Sequence, residues 1–218
     1  MGDATMNRFL PKLHKIYNVK KSCFIAIDNL LYGFDNPSIM DIKMGSRTFL
    51  EDEVSNDELR ADLYEKMIKL DPSVLTDEEK QVKSINKLKY MQLREQLSSS
   101  STLGFRIEAF KTRNLNKNKL DKILNRLNLI HSSFKCSSFF GSHEVVGSSL
   151  LIIYDSCKVN IWMIDFAKTV PLPEGIVINH VSPWVQGNHE DGYLFGLENL
   201  INIIKEIKDT VVENSTRH

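Results

Sequence analysis

The stretch 149–166 constrains the fold most. It reads SLLIIYD, then Ser156-Cys157-Lys158, then VNIWMIDF: two apolar runs on either side of a three-residue polar turn. Runs of this kind form a β-hairpin. Because apolar residues stand at both parities of each run, the hairpin needs cover on both faces. The chain can supply it, since 218 residues that are 42% hydrophobic make one sizeable core with room for a small appended lobe.

Other segments supply the cover. CFIAIDNLL (23–31) reads as a buried strand leading into a connector, and SIMDIKMG (38–45) as a second strand behind Pro37. Gly33, Asp35 and Asn36 mark the turn between them. In 56–70, Leu59, Leu63, Met67 and Leu70 recur at helical spacing until Pro72. T-D-E-E from Thr76 combines a capping hydroxyl with a glutamate three residues on, which predicts a new helix running past Tyr90. A helical insert therefore spans about 55–97. SSSSTLGFRIEAF follows as a polar turn and a strand, 120–140 reads as a helix with a basic exposed face, and 193–212 as an amphipathic helix. Strands interrupted by a helical insert give an α+β class.

Lys and Arg total 28, as do Asp and Glu. A net charge of zero argues against a chain that coats nucleic acid or an anionic membrane, so any anion site is local. Cys23, Cys136 and Cys157 show no metal-ligand spacing and suit reduced thiols in a cytoplasmic protein. No apolar run is long enough for a transmembrane segment, and the start lacks the apolar region of a signal peptide.

Three clusters carry chemistry. Strand alternation puts Asp41 and Lys43 on one face, with Ile42 and Met44 on the other; a surface ion pair is the plain alternative. Asp165 closes an apolar run, and a buried carboxylate needs a cation, such as Mg²⁺ carried by a nucleotide. Capping of the next turn is its alternative. Asp165-Phe166 resembles the Asp-Phe-Gly metal site of protein kinases, with Ala167 in place of glycine. Lys87, Tyr90 and Arg94 share a helix face at i, i+3, i+7 beside Lys89, and Arg60 on the preceding helix can oppose them. This comb of donors suits several phosphates, or is a solvated face.

Taken in order, P-x-x-x-D-x-K-x-G (37–45), S-S-L-L (148–151) and I-D-F (164–166) resemble the motif set of the inositol polyphosphate kinases. MDIKMGSRTFLEDE, YEKMIKLDP, KYMQLRE, STLGFRIEAFK, HEVVGSSLL, WMIDFAKTVPLP and NHEDGYLFGLENLI are similar to the trisphosphate 3-kinase branch. The resemblance implies a fold distantly like that of protein kinases. It implies phosphorylation of inositol 1,4,5-trisphosphate at the 3-hydroxyl, with ATP and Mg²⁺. Asp41 would contact the ribose or orient the attacking hydroxyl, Lys43 the substrate phosphate and reacting oxygen, and Asp165 the metal. Arg60, Lys87, Lys89, Tyr90, Arg94 and Lys168 would grip inositol phosphates. Lys111 would approach ATP, and Asp28, Asn29 and Leu30 stand where the family's hinge meets adenine.

Two departures follow from the same resemblance. The hairpin and lysine-bearing strand that cover ATP phosphates have no counterpart, so 1–31 reads as a remnant of the amino-terminal lobe, beginning within its helix, plus the hinge. The carboxy-terminal lobe is then 32–218, with an ATP site open to water at Asp41, Asp165 and Lys111. The segment between Lys111 and Leu120 is short for the family. Three rival readings remain: a non-catalytic inositol-phosphate-binding module, a multikinase or hexakisphosphate kinase, and a calmodulin target at 62–70. Trp162 and Trp184 are expected as packing residues, and His143 and His180 as hydrogen-bonded ones.

Overall fold

A computed structural model describes residues 5–20, 22–54, 56–112 and 115–216, with the side chains of 211–216 left out. Position 1, expected within an amino-terminal helix, lies outside the described residues. Next come a 3₁₀ turn at Asn7–Phe9 and the antiparallel hairpin β1 (Leu13–Val19) and β2 (Ser22–Ile27). The strand expected in 23–31 is present but not buried: Phe24 and Ile25 are 55% and 62% exposed, because the hairpin packs against neither hydrophobic core.

β3 (Ser38–Met44) opens the main sheet. The insert begins at β4 (Leu59–Arg60), which pairs with β5 (Ile85–Asn86), and contains α1 (Ala61–Leu70), α2 (Asp77–Val82) and α3 (Lys87–Gln96). Thr76 caps α2 with the expected reciprocal bonds to Glu79. The helix does not run on past Tyr90: Lys83 adopts a left-handed conformation and ends it, and Asn86 caps α3 afresh by accepting from the Lys89 amide. Nor does a helix start near 56, because Leu59 and Arg60 are drawn into the two-residue pairing with β5 and Leu59 faces water. Leu63, Tyr64, Met67, Leu75, Ile85 and Leu93 form the insert's own small core.

The chain continues through α4 (Ser100–Leu103), β6 (Phe105–Lys111), α5 (Lys117–Lys135), β7 (His143–Val146), β8 (Ser149–Tyr154), β9 (Val159–Ile164), β10 (Lys168–Pro171) and α6 (Tyr193–Thr216). β6, β3, β8 and β9 form an antiparallel sheet in that order, and β7 pairs with β10, a short sheet the apolar pattern did not announce. The hairpin expected in 149–166 is thus β8–β9. It is not buried on both sides: Ile161 and Met163 are fully buried, whereas Trp162 and Ile164 are half-buried and Asp165 is exposed.

Alternation makes the two sheet faces different. Ile42, Met44, Leu150, Ile152, Ile161 and Met163 join the large core, with Leu120, Ile123, Leu127, Ile130 and Phe134 of α5 and Leu194, Leu197, Ile201 and Ile204 of α6. The opposite face carries the row Asp41–Leu151–Trp162 and, beside it, Lys43–Ser149–Ile164. α6 comes so close to the start of β6 that a Cβ on Gly196 would stand 1.9 Å from the Gly104 carbonyl. Trp162 and Trp184 pack edge-on against Phe34 and Phe49, as expected of packing residues.

Candidate active site

The polar sheet face forms the floor of an open cleft of about 530 Å³, with Asp41, Lys43, Gly147, Asp165 and Lys168 on one side and Met91 and Arg94 of α3 on the other. The sequence places Asp41 and Lys43 two residues apart on β3, and the turn before β8 holds the second: Lys43 Nζ donates to the Gly147 carbonyl at 2.9 Å. The two do not form the surface ion pair that spacing alone allows. Asp41 instead keeps one buried carboxylate oxygen, Oδ1, without a hydrogen-bond partner. A buried unpaired acceptor costs free energy, so a donor or cation fits there.

β3 ends at Gly45, where φ is +97° and a Cβ would lie 2.9 Å from the Asp191 carbonyl. Glycine is needed at that point for the chain to turn. The next residue but one, Arg47, is 1% exposed and donates to the carbonyls of Phe49 (2.7 Å), Glu190 (2.9 Å) and His189 (3.1 Å) and to the Glu144 carboxylate. Thr48 donates through both its amide (2.7 Å) and hydroxyl (2.6 Å) to buried Glu95 of α3. Burial pushes the Glu95 carboxyl up, against the lowering effect of those bonds and of Arg106 and Arg47. This segment therefore docks the insert onto the sheet.

Asp165 follows β9 with φ of +65°, a region that Asp and Asn tolerate best among residues with a side chain. Its carboxylate is exposed to the cleft, so the expectation of a buried acid needing a cation does not hold as framed; the group opens onto the ligand space instead. Asp41 with its orphaned oxygen and Asp165, which line the same side of the cleft, are a donor set that suits a divalent ion bound with phosphate oxygens. Among the described residues no group of three or more His, Cys, Asp or Glu converges as a metal site of the protein's own.

Lys168, on β10, donates to Glu53 at 2.9 Å and to the Thr48 carbonyl at 3.4 Å. Glu53 accepts from Lys87 as well, through its other oxygen. Burial works against ionisation of Glu53, yet Lys168, Lys87 and the Leu50 amide outweigh it and hold the carboxyl down to about 2. Arg94 stands 3.9 Å from Glu108, which Arg106 engages at 2.8 Å through Nε. Arg94 and Lys168 thus both line the cleft, and Glu53 ties Lys87 to Lys168. Lys89 turns to Glu79 (2.5 Å), exposed Arg60 to Asp62 (2.7 Å), and Tyr90 packs against the insert's core.

Asp28, Asn29 and Leu30 line a second opening of about 560 Å³ with Phe34 and Trp162. Trp162 stands in the same row as Asp41, so both openings border one sheet face. The Asp28 side chain is engaged by His14 (2.7 Å) and the Lys12 amide (3.2 Å). Lys111 pairs with Ile39 at the sheet edge and is exposed. Sequence reasoning missed Glu53 and the Gly147 carbonyl. Glu53 lay inside a quoted motif, but only its position between two lysines reveals it, and a backbone acceptor leaves no sequence signal.

The model of the family described as inositol polyphosphate kinase matches residues 24–119 and 110–205. The chain belongs to that family. It is 43% identical, over 95% of its length and 48% of the relative's, to an inositol-trisphosphate 3-kinase homolog of Caenorhabditis elegans. It is 40% identical to human inositol-trisphosphate 3-kinase A, over 96% of this chain and 52% of that one. Identity to mouse inositol hexakisphosphate kinase 3 is 27%, over 87% and 52%, which sets this family member with the trisphosphate 3-kinase branch. The chain spans about half the length of the curated relatives it matches. Among solved structures, yeast inositol phosphate multikinase Ipk2 in complex with ADP and Mn²⁺ shares the fold, with a TM-score of 0.56 at 18% identity, covering 94% of this chain and 91% of the other.

Proposed function

We propose that this chain transfers the γ-phosphoryl group of ATP to the 3-hydroxyl of inositol 1,4,5-trisphosphate, giving the 1,3,4,5-tetrakisphosphate and ADP. What carries the reading is one cleft in which Asp41, Lys43, Asp165 and Lys168 on the sheet side face Arg94 on the insert, in a chain 40–43% identical to trisphosphate 3-kinases.

Phosphoryl transfer asks a protein to position groups and neutralise charge. Lys43 and Lys168 place ammoniums at the cleft floor for the oxygens of the transferred group. Asp41 orients the attacking hydroxyl through the oxygen that has no partner in the protein. Asp165, with Asp41 nearby, would hold Mg²⁺, which when bound neutralises the β- and γ-phosphates. Asp28, Asn29 and Leu30 border the opening suited to adenine, with Trp162 as its wall, and Lys111, on the edge strand β6, is assigned to the nucleotide by the family resemblance. Lys87, Lys89, Tyr90, Arg94 and Arg60 belong to the insert that grips the inositol phosphates.

A calmodulin-binding role for α1 has less support, because Leu63, Tyr64 and Met67 already face the insert's core. A cytoplasmic setting suits three free, exposed thiols, and no helix among the described residues is long and apolar enough to cross a membrane. The test is incubation with trisphosphate and ATP-Mg²⁺, with products separated by anion exchange. A tetrakisphosphate is the expected product. Preferential pyrophosphate formation from the hexakisphosphate would move the chain to another branch, and calorimetric binding of trisphosphate without turnover would make it a binding module.

A further inference from the structure

Every basic side chain of the insert assigned to ligand binding meets a carboxylate, and Glu108 of β6, 3.9 Å from Arg94, already belongs to Arg106, but one carboxylate bridges two of the assigned lysines. Asp62 neighbours Arg60 in sequence, and Glu79 and Lys89 belong to the same insert. Glu53 joins two parts of the molecule. It accepts from Lys87 at the start of α3 through Oε1 and from Lys168 of β10 at 2.9 Å through Oε2, which also takes the Leu50 amide at 2.9 Å. Its side chain is 18% exposed, against 38% for Lys87 and 31% for Lys168. A single anion thus joins two ammoniums, one of them on Lys168, which lines the cleft, and a backbone N–H anchors it there.

We infer that Glu53 is a built-in rival anion for the inositol-phosphate site, holding Lys87 and Lys168 together in the free protein and yielding both to a phosphate of the ligand. The inference rests on the proposed function, since it assumes that Lys87 and Lys168 receive inositol phosphates. Three observations support it. The bridge uses both carboxylate oxygens, one per ammonium, as a phosphate would use two of its oxygens. The carboxylate stays ionised far below neutral pH, so it competes throughout the physiological range. When the lysines turn to a ligand, Glu53 keeps the Leu50 amide and is not stranded.

The consequence is selectivity. A tethered carboxylate competes at fixed local concentration, so an anion with one weakly held phosphate cannot displace it, whereas one with several phosphates offsets the exchange at its other contacts. Glu53 is accordingly a positioning and specificity-determining residue.

The experiment compares the wild-type chain with Glu53→Gln, which keeps the size and the acceptor for Leu50, and with Glu65→Gln, which changes net charge equally at an exposed site on α1. Calorimetry with inositol 1,4,5-trisphosphate and with inorganic pyrophosphate is the readout. Removing one unit charge beside a partly exposed anion site should tighten trisphosphate binding about five- to tenfold, and pyrophosphate binding by more, so that discrimination between the two narrows. Glu65→Gln should change both by less than about twofold. Glu53→Ala should shift affinity in the same direction, so the result does not hang on one variant folding. Loss of a purely structural clasp predicts weaker binding, the opposite sign. If the wild-type chain binds trisphosphate and both Glu53 variants bind it no more tightly, the rival-anion role is wrong and the proposed function stands. Binding seen only with the variants supports the inference. Binding by none of the chains overturns the proposed function and the inference together.

Discussion

In the β6-β3-β8-β9 sheet Asp41 has a buried oxygen without a hydrogen-bond partner, whereas in the insert Arg60, Lys87, Lys89 and Arg94 all stand against carboxylates. The hydrophobic support differs in the same way. Among the described residues the sheet rests on a core of 24 buried residues, and the insert on one of six. The groups proposed for bond making lie on the part with the larger cooperative core, while most of those proposed to exchange partners, Lys168 of β10 excepted, lie on a part that can open locally at lower cost. Polar contacts join the two: Glu95 to Thr48, and Glu53 to Lys87 and Lys168.

The comparison can be broken at four points. The largest effect should come from Lys87→Ala with Arg94→Ala. Losing two charge-assisted contacts at partly exposed sites should weaken trisphosphate binding about 10²-fold with little change in the thermal stability of the main core. Retained affinity in calorimetry would mean the insert is not the grip. Next, Met67→Ala, at a fully buried position of the six-residue core, should cost about 2–5 kcal/mol. Hydrogen exchange should then rise across 61–96 while α5 and α6 stay protected, and a uniform rise would merge the two regions into one.

A smaller effect is expected from Glu95→Ala, which strands the Thr48 amide and hydroxyl and should cost about 1–3 kcal/mol in denaturant titration. Smallest is a pH effect of opposite sign in the two regions. In the large core, burial opposes protonation of His180, but Asp191 and the Phe140 carbonyl raise its pKa above the ordinary 6.5. Its contribution is fully present below about pH 6.5 and fades as pH rises through the folded value. Glu53, lowered from 4.5 to about 2, contributes above about pH 4.5 and loses that contribution as pH falls toward 2. Denaturation between pH 6 and 9 should show the core weakening slightly, and His180→Gln should flatten that slope; an unchanged slope would remove His180 from the account.

Much of the fold was legible because the apolar pattern is local. SIMDIKM, SLLIIY and VNIWMI carry alternation or continuous apolar character that only a sheet accommodates, and T-D-E-E fixes a helix start by its own hydrogen bonds. What failed was set by tertiary context. Nothing in 83–86 announces that Lys83 turns left-handed and that Ile85 and Asn86 pair with Arg60 and Leu59, so one long helix was expected where two stand. CFIAI looks buried because its residues are apolar, yet exposure depends on what packs above it. Asp41, Lys43 and Asp165 could be picked out as residue types at strand spacing. Their meeting in one cleft depends on β3 and β9 flanking β8, and the place of Glu53 depends on Lys168 of β10 and Lys87 of α3 reaching it from 115 and 34 residues away.

The most direct test of the division between sheet and insert is Asp165→Asn, read in one experiment as initial kinase rate and trisphosphate affinity. Asparagine tolerates the left-handed backbone at φ of +65°, so the fold should persist. The account predicts that the rate falls at least about 10²-fold while the dissociation constant for trisphosphate stays within about threefold, because the carboxylate proposed to hold the metal and the insert's cations are different groups. Loss of affinity in parallel with rate would contradict it, and would show that grip and chemistry share one set of residues.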